Sequence, residues 1–273
     1  VLGCSNESCA KAINAGVDMI MVPENWKAFI YNTIGQVKSG EIPVSRLDDA
    51  VSRILRVKIR AGLFKKGAPS KRKYAGDESI VGAVEHRKIA KQAVRESLVL
   101  LKNKKSILPI ASKSHIVVAG SGANNIGQQS GGWTISWQGT GNNNSDFPGA
   151  TSIYDGLKKA VTRGGGKVSL SENGKFKGKP NLAVVVFGES PYAEGQGDIK
   201  DLYFGRNYPE NLKLIKSFKT QGIPVVSIFL TGRPLWVNPE LNSSDAFVVA
   251  WLPGSEGDAV AEVVMGDSDG KVI

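Results

Sequence analysis

The alternation of apolar and polar residues predicts helix, strand, helix, helix over the first 62 positions. Ala10 to Ala15 reads as a short helix and Gly16 turns the chain. The run Val17-Asp18-Met19-Ile20-Met21-Val22, ended by Pro23, reads as a buried strand. A second helix is predicted from about Trp26 to Ser39, closed by Gly40. A third follows, with Ser45 as its cap and Asp48 three residues on, and runs to Gly62. Its apolar positions Leu47, Val51, Ile54 and Leu55 fall on one stripe that faces a core, leaving Arg46, Arg53, Arg56 and Arg60 to water.

From Lys65 to Asp77 the chain turns to Lys, Gly, Pro, Ser and Arg with little to bury, which marks a linker between two bodies. Beyond it a helix from about Glu85 to Glu96 leads into Ser97 to Asn103. Apolar strands then alternate with amphipathic helices: Ile116 to Ala119, Ile153 to Thr162, Leu182 to Phe187, Pro209 to Thr220, Val225 to Leu230, Ala246 to Trp251 and Gly257 to Met265. That order predicts an α/β fold with a mostly parallel sheet covered on both faces. There is no internal repeat and no low-complexity tract.

Composition changes the picture little. The 273 residues are 41% hydrophobic and 22% charged, enough for one large domain or a domain plus part of another. No apolar run approaches the roughly 20 residues of a membrane-spanning helix, so no membrane span is expected. The net charge of +10 raises the question of a polyanion, but the basic residues gather between Arg53 and Lys73 without interleaved aromatics. They read as a solvated helix face and linker, and no nucleic acid is expected. Val1 stands in mid-phrase and Asp267 to Ile273 stop without a finished element, so both ends read as cut and a leader segment is not to be looked for here. Cys4 and Cys9 have neither the spacing of a redox motif nor that of a metal site. The pair fits a small-loop disulfide in an oxidising compartment, or two loop thiols.

The candidate chemistry sits at predicted strand ends. Gly120-Ser121-Gly122-Ala123-Asn124-Asn125-Ile126-Gly127 lacks the third glycine of a dinucleotide fingerprint. The stretch Gly131 to Gly139 after it is not a helix, so a nucleotide cofactor is not expected. That stretch carries Trp133 and Trp137 in a polar, glycine-rich loop, where indole planes can stack on the apolar faces of sugar rings. At the end of the strand Val184 to Phe187 stand Glu189, Glu194 and Asp198. A carboxyl beside an apolar strand end suits general acid catalysis, although glycoside chemistry needs a second carboxylate and none is evident. Gly254-Ser255-Glu256-Gly257 is not a nucleophile elbow, and His86 and His115 form no triad or metal set, so no metal or other cofactor is expected.

Several phrases together resemble glycoside hydrolase family 3. They are Ala15 to Pro23, Arg46-Leu47-Asp48-Asp49-Ala50-Val51-Ser52-Arg53-Ile54-Leu55-Arg56-Val57-Lys58, Arg95 to Asn103, Gly131 to Gly139, Gly188 to Glu194 and Trp251-Leu252-Pro253-Gly254-Ser255-Glu256-Gly257. Within the family the resemblance is to bacterial 1,4-β-glucan glucohydrolases and plant glucan exohydrolases. It implies that residues 1–64 are the C-terminal remnant of a (β/α)8-like barrel, 65–84 a linker, and 85–273 an α/β sandwich incomplete at its C-terminus. It further implies a retaining, exo-acting β-glucosidase that releases glucose from a β-glucan or cello-oligosaccharide without a cofactor. Its nucleophile would be an aspartate in a Ser-Asp-Trp-type phrase upstream of Val1, so this chain alone is expected to turn over nothing.

By the match, Glu189 is the acid/base, Trp137 and then Trp133 the aromatic platform on the leaving-group side, and Met21 a residue lining the glucose pocket. Glu194 and Asp198 would orient the loop. Two positions depart from the family pattern: Gly120 to Asn125, where a charged or His residue and an Asp are usual, and Ser190, where relatives carry Asp or His. The resemblance implies a periplasmic or extracellular home and says nothing of oligomeric state. Other readings in view are a carbohydrate-binding or scaffolding module derived from the family, and a family 3 enzyme of other specificity such as a β-xylosidase.

Overall fold

The computed structural model describes residues 3–266, and the chain divides into two compact units, Val1–Ile80 and Val81–Ile273. The expected unfinished end from Asp267 to Ile273 lies outside the described residues.

The first unit holds three helices, α1 (Ala10–Asn14), α2 (Trp26–Lys38) and α3 (Val44–Arg60). Cys9, Ala10, Ile13, Phe29 and Ile42 are buried at its centre, with Ile20, Val22 and Val37 packed around them. Cys4 and Cys9 form a disulfide. Three expectations fail here.

Val17 to Val22 is not a strand. A strand is held by a ladder, and this unit offers no second strand among the described residues. Ile20 and Val22 still pack on the core, whereas Val17, Met19 and Met21 are exposed. Nor does Ser45 cap α3, which starts one residue earlier, after Pro43 at φ −63°, with no side-chain cap. Finally, the apolar stripe does not face the core: Leu47, Val51 and Leu55 are exposed, and Ala50 is the buried residue of the helix. The helix is turned by Arg46, whose Nε donates to the Ile13 carbonyl at 2.7 Å and whose guanidinium pairs with Asp18 and Asp49. A charged group satisfied by a helix-end carbonyl and two carboxylates can be drawn inward, which leaves the leucine stripe outside.

The second unit is a six-stranded sheet. In chain order its elements are α4 (Val84–Ser97), β1 (Val99–Asn103), β2 (His115–Ala119), α5 (Ile126–Ser130), α6 (Ile153–Arg163), β3 (Lys167–Leu170), β4 (Leu182–Gly188), α7 (Phe204–Asn207), α8 (Pro209–Thr220), β5 (Val225–Leu230), α9 (Asn238–Ser243), β6 (Ala246–Trp251) and α10 (Gly257–Met265). The strand order is β1-β6-β5-β4-β2-β3. All pairs are parallel except β1 with β6. The expected mostly parallel α/β sheet is therefore present, with one antiparallel edge.

The middle strands are buried on both faces, which explains why their sequences are continuous apolar runs. Val184 and Val186 join the core under α6 and α10, while Val185 and Phe187 join the core containing Phe204 and Phe218 on the other face. The helix α6 is capped by Ser152, whose hydroxyl accepts the Asp155 amide at 3.0 Å. It meets α10 at Gly156, where a Cβ would lie 2.6 Å from the Asp258 Cα. The helix α4 is tied to α10 and the residue before it by Arg87 with Glu256 at 2.9 Å, Lys91 with Asp258, and Arg95 with Glu262 at 2.9 Å.

Candidate active site

The strand β2 lies between β3 and β4, so the chain leaves it in two directions and the loops at the carboxyl ends of β2 and β4 open a crevice. The loop after β5 adjoins them. Ligands of open α/β sheets bind at such a place because backbone ends and loop side chains converge there without breaking the core.

Glu189 is the first residue beyond β4. At Gly188 a Cβ would sit 1.9 Å from the Leu230 carbonyl oxygen, so only glycine lets β4 and β5 close up here. Glu189 follows with its amide donating to that same carbonyl at 3.2 Å. It is buried, at 8% exposure, which removes the reading of a solvated loop carboxylate. The surroundings are not apolar on the carboxylate side, however. Oε1 accepts from Arg233 Nε at 3.0 Å and pairs with Nη2 at 2.9 Å, and Oε2 lies 2.8 Å from the Thr231 hydroxyl.

Arg233 is itself held, donating from Nη1 to the Gly197 carbonyl at 2.6 Å and lying 4.1 Å above the centre of the Tyr192 ring. Burial first, then the charge of Glu189, push the Tyr192 hydroxyl above the usual tyrosine range. The backbone is fixed as well: Gln128 Nε2 donates to the Glu189 carbonyl at 3.1 Å, and the Ser190 amide donates to the Tyr208 hydroxyl at 3.1 Å.

Trp133 and Trp137 stand on a tight loop closed by the Trp133 amide donating to the Trp137 carbonyl at 2.9 Å. Both indoles are more than half exposed, their centres 6.1 Å apart and their planes tilted by 38°. Trp133 and Ile135 have φ of 58° and 61°. The loop docks onto the segment after Glu189: the Ala193 amide donates to Gln138 Oε1 at 2.7 Å, and Gly132 passes so close to the Tyr192 carbonyl that a Cβ would be 2.0 Å from its oxygen. The structure thus joins the loop of Glu189 to the loop of the two tryptophans.

Glu194 and Asp198 are exposed, and the partners of the Glu189 carboxylate are Thr231, Arg233 and Tyr192. Met21 belongs to the first unit and is 90% exposed. Sequence reasoning missed Thr231, Arg233 and Tyr192. The signal was Thr231-Gly232-Arg233-Pro234 directly after β5, a polar phrase at the carboxyl end of the neighbouring strand. It also missed the short helix α5 after the glycine loop, which Asn125 caps by accepting the Gln128 amide at 2.9 Å. Among the described residues no three His, Cys, Asp or Glu side chains gather as a metal site would require.

Residues 98–271 match the glycosyl hydrolase family 3 C-terminal domain, and residues 1–57 match the family's N terminal domain. The exo-1,3/1,4-beta-glucanase of a Pseudoalteromonas species is a solved structure 59% identical to this chain, with a TM-score of 0.92 over 96% of this chain and 33% of its own. The lysosomal beta glucosidase of Dictyostelium discoideum is 34% identical over 97% of this chain and 34% of its own length. The periplasmic beta-glucosidase of Salmonella typhimurium is 29% identical over 94% and 36%. The chain spans about a third of the length of these relatives. With one domain match alone covering well over half of its residues, the chain belongs to glycosyl hydrolase family 3.

Proposed function

We propose that this chain supplies the acid/base half of a retaining, exo-acting β-glucosidase that releases glucose from the non-reducing ends of β-glucans or cello-oligosaccharides. The observation that carries the reading is Glu189: a buried carboxylate at the mouth of the sheet, held by Thr231 and Arg233, whose loop is bonded to the one that presents Trp133 and Trp137.

In this reading Glu189 protonates the departing glycosidic oxygen and later takes a proton from the water that attacks the glycosyl-enzyme. The nucleophile is a carboxylate on a barrel of which residues 1–64 are the end, residues 65–84 link the two bodies, and residues 85–273 form the sandwich. Trp137 and Trp133 stack on the leaving-group sugar, and Met21 lines the glucose pocket. The names of the relatives support β-glucoside substrates. The Cys4–Cys9 disulfide, together with relatives named lysosomal and periplasmic, supports a home outside the cytoplasm.

The test is Glu189→Gly in the protein that carries this chain together with a nucleophile-bearing barrel, assayed on an aryl β-glucoside with and without azide. A loss of about 10²–10⁴-fold, rescued by azide with a β-glucosyl azide product, supports the assignment. Full activity without azide overturns it.

A further inference from the structure

The contacts around Glu189 are unequal on its two oxygens, and the inequality carries a consequence for the reaction. Oε1 accepts one N–H of the Arg233 guanidinium, from Nε at 3.0 Å, and lies 2.9 Å from Nη2 of the same group as an ion pair. Oε2 lies 2.8 Å from the Thr231 hydroxyl, and the Tyr192 hydroxyl also hydrogen-bonds to the carboxylate. The guanidinium cannot readily follow a moving carboxylate, because its third edge is bonded to the Gly197 carbonyl at 2.6 Å and its face lies on Tyr192. Arginine stays protonated throughout, so Oε1 is permanently occupied by donors.

Thr231 is different. Its Oγ1 lies 2.8 Å from Glu189 Oε2 and 2.7 Å from the Arg233 carbonyl, and it accepts the Arg233 amide at 3.2 Å. Two acceptors face one hydroxyl hydrogen, and a hydroxyl can give that hydrogen to only one of them at a time. When Glu189 is ionised, the hydrogen belongs on Oε2, a charged acceptor, rather than on the neutral Arg233 carbonyl. When Oε2 carries a proton, the carboxyl can donate to Oγ1, and the threonine hydrogen turns to the Arg233 carbonyl. Passing between the two states needs only the rotation of one hydroxyl.

We propose that Thr231 and Arg233 are positioning residues forming a two-state cradle, in which Arg233 pins Oε1 and the rotating Thr231 hydroxyl serves Oε2 in both protonation states, so that Oε2 is the oxygen that gives and takes the proton. The inference rests on Glu189 being the acid/base. In the first half-reaction the Oε2–H bond breaks and the proton goes to the glycosidic oxygen. The bond from that oxygen to the anomeric carbon breaks with its electron pair, and the barrel carboxylate bonds to the carbon. In the second, water loses a proton to Oε2, its oxygen bonds to the anomeric carbon, and the ester to the barrel carboxylate breaks. The other titratable groups facing this carboxylate and its backbone are the Tyr192 hydroxyl, which hydrogen-bonds to the carboxylate, and the Tyr208 hydroxyl, which accepts the Ser190 amide.

The experiment compares Thr231→Val, Thr231→Ser, Arg233→Met and Glu189→Gly in the nucleophile-bearing protein, with melting temperatures as a check on folding. Substrates are a cello-oligosaccharide, whose departure needs the acid, and a dinitrophenyl β-glucoside, whose departure does not. Thr231→Val should lower kcat/KM on the oligosaccharide by about tenfold or more while leaving the dinitrophenyl substrate within about threefold, as expected for a lost hydrogen bond to a charged group. Thr231→Ser should restore the oligosaccharide rate.

If Glu189→Gly is inactive and rescued by azide, while Thr231→Val and Arg233→Met leave the substrate ratio unchanged, the cradle is overturned and the acid/base assignment stands. If the two substrates fall equally in Thr231→Val, a general structural role replaces the cradle. If Glu189→Gly keeps full activity without azide, the assignment itself is lost.

Discussion

Gln138 accepts the backbone amide of Ala193 at 2.7 Å, and this bond joins the tryptophan loop to the segment that carries Glu189. The two loops are 55 residues apart in the chain, so nothing local holds them together. Gln138→Ala should free the tryptophan loop from its dock. The expected result is weaker near-ultraviolet circular dichroism from the coupled indoles of Trp133 and Trp137, with stability reduced by only about 1 kcal/mol. An unchanged tryptophan spectrum would show that the loop is held by its own turn alone.

Glu240 is fully buried, and both its carboxyl oxygens lack a hydrogen-bond partner. Burial pushes its carboxyl above the ordinary value of 4.5, outweighing the opposing effects of its own backbone amide and then of Lys216. The folded state therefore binds this proton more tightly than the unfolded state does. The favourable contribution is full below pH 4.5 and is lost as pH rises through the folded value. Glu240→Gln should accordingly be more stable than the wild type at pH 7, by about 1–3 kcal/mol, with the advantage fading as the pH is lowered from the raised folded value toward the ordinary value of 4.5, and gone below it. Urea midpoints at neutral and acid pH measure it, and an equal gain at both would sink the explanation.

Gly156 allows α6 to lie against α10, since a Cβ there would be 2.6 Å from the Asp258 Cα and 3.1 Å from the Ala261 Cβ. The obstacle is backbone and cannot turn aside. Gly156→Ala should cost about 1–3 kcal/mol despite the better helix propensity of alanine. A thermal melt decides it: a stabilised variant would mean that the two helices separate without cost.

The Cys4–Cys9 bond closes a short loop at the edge of the first unit's core, where Cys9 is buried beside Ile13 and Phe29. Reduction should speed amide hydrogen exchange in α1 and α2 and leave the sheet of the second unit unchanged. Exchange followed by mass spectrometry distinguishes this from a loss of protection spread over both units.

The second unit was legible in the sequence where burial is complete. The apolar runs of β4, β5 and β6 have no reading other than covered parallel strands, and α8 and α10 carry their own start and stop residues. Legibility failed where the pattern is short or half exposed. The strand β3 is four residues on an edge, and α5, α7 and α9 are too short to display a period. Glu189 and the tryptophans could be found because a strand end followed by a polar loop is a local signal. Arg233 could not, because it meets Glu189 from 44 residues away, and the pairing depends on β5 lying beside β4. In the first unit, apolar residues at Val17 to Val22 were no guarantee of a strand without a neighbour to complete the ladder.

The left-handed backbone at Trp133 and at Ile135 bears on how the loop would meet a sugar. A β-branched residue in that region is strained by about 1–3 kcal/mol, and it stays there only because its surroundings allow no alternative. That cost is incurred when the chain folds. A ring arriving at the two indoles would meet a backbone already set in place, so the contact would carry less of the ordering cost that a mobile loop imposes on its ligand.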